Sequence, residues 1–144
     1  MKKPIKIAAK AIIFDPDDRV LILHKSEAER KPNKDHGWDF PGGGMEPEEP
    51  IMDALAREVM EETGLQVKVV APAYIYDEIQ AEKHLIIIKF ACDQPIGDLV
   101  LSSEHESFHW VPMSDLQHQA FPEWMKEEIR RAYRIYTDFR GVNR

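Results

Sequence analysis

Cysteine is almost missing from this chain: Cys92 is the one cysteine among 144 residues. No disulfide can form within the chain, and a reducing cytoplasm is the expected compartment. Long apolar runs are missing too. Stretches such as Val20-Leu21-Ile22-Leu23 and Leu85-Ile86-Ile87-Ile88 fall far short of the about 20 residues that a spanning helix needs, so no membrane is expected as a partner. Lys2, Lys3, Lys6 and Lys10 interrupt the start before an apolar stretch can form, so the signal-peptide pattern is not met. Positive charge is in the minority, with 19 Lys+Arg against 26 Asp+Glu and a net charge of −7. Such a chain repels a bare phosphate backbone, and nucleic acid is not expected as a partner. His24, His36, His84, His105, His109 and His118 show neither HExxH nor Cys-His ligand spacing, so they read as structural or surface residues. No Walker lysine and no Rossmann glycine spacing follow any strand candidate.

What is present fits one domain over residues 1–144, with 43% apolar residues to build its core. Ile5 to Phe14 and Arg19 to His24 are β-rich and flank Asp15-Pro16-Asp17-Asp18, which predicts a β-hairpin. Ser26 to His36 is charged and aperiodic, an exposed loop. Trp38-Asp39-Phe40 alternates briefly before Pro41-Gly42-Gly43-Gly44 stops regular structure. Pro50 to Thr63 reads as a helix closed by Gly64. Gln66 to Ile79, His84 to Cys92 and Phe108 to Val111 read as strands, with a turn at Pro95 to Asp98. Met125, Ile129, Ala132, Tyr133 and Tyr136 define the apolar face of a terminal helix, with Lys126, Glu127, Arg130 and Arg131 opposite. Strands with two helices predict a mixed α/β fold.

The first helix carries a charge pattern that asks for a cation. With 100° per residue and Glu58 at the origin, Glu61 falls near 300° and Glu62 near 40°. Leu55, Val59, Met52, Ala56 and Met60 fall between about 60° and 200°, the expected buried side. Like charges three and four residues apart cost about 0.2 to 0.5 kcal/mol per pair when uncompensated. A hard cation such as Mg²⁺ or Mn²⁺ would remove that cost, since carboxylate oxygens suit both. Arg57, near 260°, can hold a carboxylate through paired N–H donors, which Lys does less well. A plain solvated acidic face is the competing reading.

Gly43, Glu49, Arg57-Glu58-Val59, Glu61-Glu62 and Gly64-Leu65 stand at the spacings of the complete Nudix box, and the chain resembles the Nudix hydrolase family. The chance of the box's seven fixed letters, all but the apolar Val59 and Leu65, matching at one starting point is on the order of 10⁻⁸. The box runs from Gly43 to Leu65, and Trp38-Asp39-Phe40-Pro41-Gly42 before it is similar to what many members carry. The resemblance implies an α/β/α sandwich with a mixed sheet and a Mg²⁺- or Mn²⁺-dependent pyrophosphohydrolase. Its substrate would be a nucleoside diphosphate linked to another moiety. Glu58, Glu61 and Glu62 become the expected metal-site carboxylates, with the backbone at Gly42 supplying a further oxygen. Glu49 and Arg57 become the pair that orients them, Gly64 the structural end of the motif, and Gly42, Gly43 and Lys25 candidates for substrate contact.

The attacking water needs a base. Glu61 or Glu62 could serve from the helix, whereas the family often places a glutamate on a later loop, and Glu104 in Ser103-Glu104-His105-Glu106 matches that place best. Lys25, Arg30, Lys31 and Lys34 form a local basic excess that could draw phosphates, although a solvated loop explains it as well. Trp38, Phe40 and Tyr76 read as core, and no nucleobase pocket is assigned. The subgroup proline and tyrosine of ADP-ribose and dinucleoside polyphosphate enzymes are not at their usual distance: Pro72, Tyr74 and Tyr76 come too early and Pro95 too late. Two other functions stay open, a non-hydrolytic nucleotide sensor and an isoprenoid diphosphate isomerase, the latter requiring a catalytic cysteine in its pocket. A homodimer is left open as well.

Overall fold

The computed structural model describes residues 2–30 and 37–140. The chain order is β1 (Ile5–Ile13), β2 (Arg19–Lys25), β3 (Trp38–Asp39), β4 (Gly42–Gly44), α1 (Ile51–Thr63), β5 (Gln66–Ile79), β6 (His84–Ile96), β7 (His105–Pro112) and α2 (Glu123–Arg140). Short 3₁₀ turns lie at Glu27–Glu29 and Met113–His118. One sheet has the order β4-β1-β6-β5 and the other β3-β2-β7. The four-stranded sheet is mixed: β1 runs parallel to β6 and antiparallel to β4.

The predicted hairpin does not form as such. Asp15 builds the tight turn, its carboxylate accepting the amides of Asp17 at 3.0 Å and Arg19 at 2.9 Å. Beyond the bridge Phe14 to Val20, however, the two strands part into different sheets. Both edges of β1 are taken by β4 and β6, and both edges of β2 by β3 and β7, so neither has a free edge for the other.

Strand alternation then makes a two-sided core. Ala9, Ala11, Ile13, Leu21, Leu23, Phe90 and Cys92 face α1, meeting Leu55 and Val59. Ile12, Phe14, Val20, Ile22 and Ala91 face α2, meeting Met125, Ile129, Ala132 and Tyr136. The result is the expected α/β/α sandwich. Among the described residues, no helix is long and apolar enough to cross a membrane.

Several local expectations are corrected. Gly42 to Gly44 forms a strand instead of ending one, in register with Lys10, Ala9 and Ala8. Glycine allows this: Gly42 has φ 145°, and a Cβ on it would lie 2.2 Å from the Ala9 carbonyl oxygen. Pro95 lies within β6, beyond Cys92 where β1 has ended and opposite the irregular stretch of β5 between Gln66 and Lys68, a place that tolerates its missing N–H. Strand β7 begins at His105, before Phe108. On α1, Met52, Ala56 and Met60 are exposed, while Ala54, Glu62 and Thr63 are buried with Leu55 and Val59. The buried arc is thus centred closer to the acidic stripe than apolar content suggests. On α2, Lys126 is buried, its ammonium donating to the Gln117 carbonyl at 3.1 Å.

Candidate active site

Gly64 closes α1 in the left-handed region, φ 73°, with its N–H on the Met60 carbonyl. The next free carbonyls of that helix end, Thr63 and Glu62, take the amides of Val100 at 2.9 Å and Ser102 at 3.2 Å. This fastens the segment ahead of β7 onto α1. Ser26, just after β2, adds its amide and hydroxyl to the Glu104 carbonyl at 2.9 and 3.2 Å. Glu104 is thereby carried to the side of Glu62.

Arg57 organises the exposed half of the cluster. Its Nε and Nη2 grip Glu49 at 2.9 and 3.0 Å, Nη2 also reaches the Gly44 carbonyl at 3.1 Å, and Nη1 meets Glu58 at 3.0 Å and Glu61 at 3.4 Å. This grip holds the Glu49 carboxyl at about 2, helped by the Glu46 amide. Glu61 is 56% exposed, whereas Glu58 points inward, its carboxyl so near Gly43 that a Cβ there would come within 2.6 Å.

Glu62 belongs to the buried half. The Gly42 amide donates to it at 3.3 Å, and burial pushes its carboxyl up to about 8. Lys10 and the Gly42 amide oppose that rise, while the charges of Asp39 and Glu104 add to it. Facing it is His105, whose side chain is 2% exposed. The His105 Nε2 sits 3.0 Å from Asp39, and Asp39 is in turn 2.7 Å from the Lys10 ammonium. Burial alone would raise the Asp39 carboxyl, but the neighbouring charges of Lys10 and Lys25, with the hydrogen bonds, hold it far below the ordinary range. As a carboxylate it only accepts, which puts a proton on Nε2 and, in the neutral ring, a lone pair on Nδ1. Among the described residues His105 Nδ1 has no hydrogen-bond partner, and it lies 3.9 Å from Glu62 Oε1.

Donor atoms of Glu62, Glu104 and His105 lie within 4.8 Å of one another. Two carboxylates beside an orphaned nitrogen make a mainly hard donor set, which fits a divalent cation of the Mg²⁺ or Mn²⁺ kind, and Glu58 lies next along the glycine strand, at Gly43.

Of the residues singled out by sequence, Glu49, Arg57, Glu58, Glu61, Glu62, Gly42, Gly43 and Glu104 are gathered here. Gly42 meets Glu62 through its N–H rather than its carbonyl. Lys25 stands apart from the glutamates, on the wall of a neighbouring cavity of about 640 Å³. Tyr76 lines that cavity, a departure from its reading as core, whereas Trp38 and Phe40, which also line it, are packed in the core on the α2 side as expected. Arg30 is paired with Glu106, and Lys31, Lys34 and His36 lie outside the described residues. Sequence reading missed Lys10, Asp39 and His105. The signal for His105 was its place beside Glu104, and for Asp39 its place just before the glycines.

A NUDIX domain family model matches residues 4–132, and the chain belongs to the Nudix family. It is similar to an uncharacterized Nudix hydrolase, YvcI, of Bacillus subtilis, 32% identical over 110 residues, covering 73% of this chain and 65% of that protein. It is also similar to nucleoside triphosphatase NudI of Escherichia coli O81, 33% identical over 92 residues, 56% of this chain and 65% of that one. The matched regions thus span about two thirds of these relatives' length. Among solved structures, a MutT protein from Methanosarcina mazei has a TM-score of 0.71 at 29% identity, covering 93% of this chain and 96% of that one. A Caenorhabditis elegans Ap4A hydrolase has a TM-score of 0.68 at 22% identity, covering 96% and 99%, and shares the fold.

Two outcomes follow from this geometry. Arg57→Lys keeps the charge but cannot grip Glu49 with a fork while holding Glu58, so Mn²⁺ affinity should fall by about 10- to 100-fold with the fold retained. Unchanged affinity by calorimetry would show that the guanidinium does not order the site. For Glu62, the metal-free folded protein keeps a proton up to about 8 that the unfolded chain gives up near 4.5. Its stabilising effect is full below the lower value and is lost as pH rises through the upper one. In EDTA, Tm should therefore decline between about pH 5 and 8, and Glu62→Gln should flatten that slope; an unchanged slope would contradict the assignment.

Proposed function

We propose that the protein is a Mg²⁺-dependent pyrophosphohydrolase. It would cleave the diphosphate bond of a nucleoside diphosphate linked to another moiety, such as a nucleoside triphosphate or a nucleotide sugar. The observation that carries this reading is the convergence of Glu62, Glu104 and His105 beside the Gly42 amide, with Glu58 turned to the neighbouring Gly43 backbone and held by Arg57, which also grips Glu49. The name of the NudI relative, a nucleoside triphosphatase, supports the substrate class.

Glu58, Glu61 and Glu62 would hold the cation, with the backbone at Gly42, and Arg57 and Glu49 would keep those carboxylates in place. Bound there, Mg²⁺ or Mn²⁺ neutralises phosphoryl charge and acidifies the attacking water. Glu104 takes the water proton as the new oxygen–phosphorus bond forms, and the bridging P–O bond breaks with its electron pair leaving on the departing phosphate. Lys10 and Lys25 line the adjoining cavity and offer positive charge to the rest of the substrate. An isomerase is disfavoured by Cys92. Its thiol is fully buried among the residues facing α1, away from the cavity, and burial pushes it well above the ordinary thiol range. The full set of motif acids likewise gives the sensor reading no special support.

A panel of nucleoside triphosphates and nucleotide sugars, turned over with Mg²⁺ in H₂¹⁸O, tests the reaction. Label should enter one product, EDTA should stop turnover, and Glu104→Gln should slow it about 10²- to 10⁴-fold while flattening the acidic limb of the pH profile. Substrate consumed without label in any product would contradict hydrolysis. Full rate and the same limb in Glu104→Gln would move the base to a helix glutamate.

A further inference from the structure

The cavity beside the glutamates has a charged floor of which the proposed hydrolysis uses only Lys10. Ala8 and Lys10 of β1, Ile87 and Lys89 of β6, and Tyr74 and Tyr76 of β5 point into it at every second position, so one face of the four-stranded sheet forms its base. Trp124 and Glu128, four apart on α2, close it from the other side. The Lys89 and Glu128 side chains are 5% and 7% exposed, with Nζ and Oε1 2.5 Å apart. The ammonium also lies 5.1 Å from the ring centres of Tyr76 and Trp124.

A buried ion pair is a weak source of stability, and apolar residues of similar volume often replace one without loss. On a cavity wall, however, it sets a donor and an acceptor side by side where a ligand meets them. Lys89 has three N–H donors, one of them on Glu128. The second oxygen of Glu128 accepts no hydrogen bond among the described residues. The register links this pair to the metal end: Gly42, Lys10 and Lys89 are cross-strand partners on β4, β1 and β6. Two strand spacings, about 10 Å, separate the glycine backbone from Lys89.

We propose that the Lys89–Glu128 pair reads the nucleobase of the substrate and selects guanine, an inference that rests on the nucleotide-hydrolase reading above. Guanine alone among the common bases presents a carbonyl acceptor, O6, beside two adjacent N–H donors, N1–H and the 2-amino group. Lys89 donates to O6, and the Glu128 carboxylate accepts from both N–H groups, which parallel donors favour. Adenine and cytosine place a ring acceptor against that carboxylate, and uracil or thymine offers one N–H between two carbonyls. Tyr76 and Trp124 flank the pair as walls against which the base lies.

Turnover of GTP and ATP with Mg²⁺, paired with calorimetric titration of GMP and AMP, tests this in the wild type, in Glu128→Gln and in the double variant Lys89→Met/Glu128→Leu. The double variant removes both charges together and so avoids stranding a buried one. Wild-type kcat/KM should favour GTP by about 10- to 100-fold, and GMP should bind correspondingly tighter than AMP. Both preferences should fall towards parity in the variants. Equal use of GTP and ATP by the wild type, or a guanine preference that survives in the folded double variant, overturns the inference and leaves hydrolysis standing. GMP and AMP binding equally, or not binding, overturns it whatever turnover shows. A GMP preference that the variants lose, in a protein that hydrolyses no nucleotide, supports base reading and defeats the hydrolase reading instead.

Discussion

Arg57 directs its guanidinium at Glu49, Glu58, Glu61 and the Gly44 carbonyl at once, and the geometry of the acidic site hangs on that one group. Three carboxylates on or near one helix turn repel each other in water. A planar cation with fixed donors converts the repulsion into a defined arrangement, leaving the inward Glu58 oxygens beside the Gly43 backbone. The glycine strand is the other half of the constraint. A side chain at Gly42 would collide with the backbone of β1, and one at Gly43 would push the Glu58 carboxylate from its place against the glycine strand.

Behind this clamp lies a second set of polar side chains, Lys10, Asp39, His105 and Glu62, joined by contacts of 2.7, 3.0 and 3.9 Å. It is drawn from four places far apart in sequence. Lys10 and His105 keep Asp39 ionised, while burial, against the pull of Lys10, leaves Glu62 reluctant to ionise. Lys10 and Asp39 also line the large cavity, which makes one continuous surface of the acidic cluster and the pocket beside it.

The local parts of this arrangement were readable from residue spacing. Glu58, Glu61, Glu62 and Arg57 share one helix, Gly64 ends it, and Glu49 lies within reach of the same turn. Glu104 could be placed through family likeness, but the reason it lands beside Glu62, the Ser102 and Val100 amides on the helix end, is a tertiary event. The hairpin expectation failed because local turn chemistry at Asp15 says nothing about which strand takes each edge. Met52 and Met60 misled the helix wheel, because Glu62 fills a buried place that an apolar count assigns to a methionine. The pocket was invisible for a similar reason. Lys89 and Glu128 are 39 residues apart, and each alone looks like an ordinary charge on a strand or helix.

The glycine strand beside the acidic cluster of α1 stands in register, through β1, with Lys10 and Lys89, whose side chains face the α2 side of the sheet. The most direct measurement of the central arrangement is anomalous diffraction from crystals grown with Mn²⁺. Manganese density in contact with Glu58 and Glu62, close to Glu104 and the Gly42 backbone, is the predicted result. Manganese bound elsewhere on the surface, with those carboxylates still held as they are without metal, would contradict it.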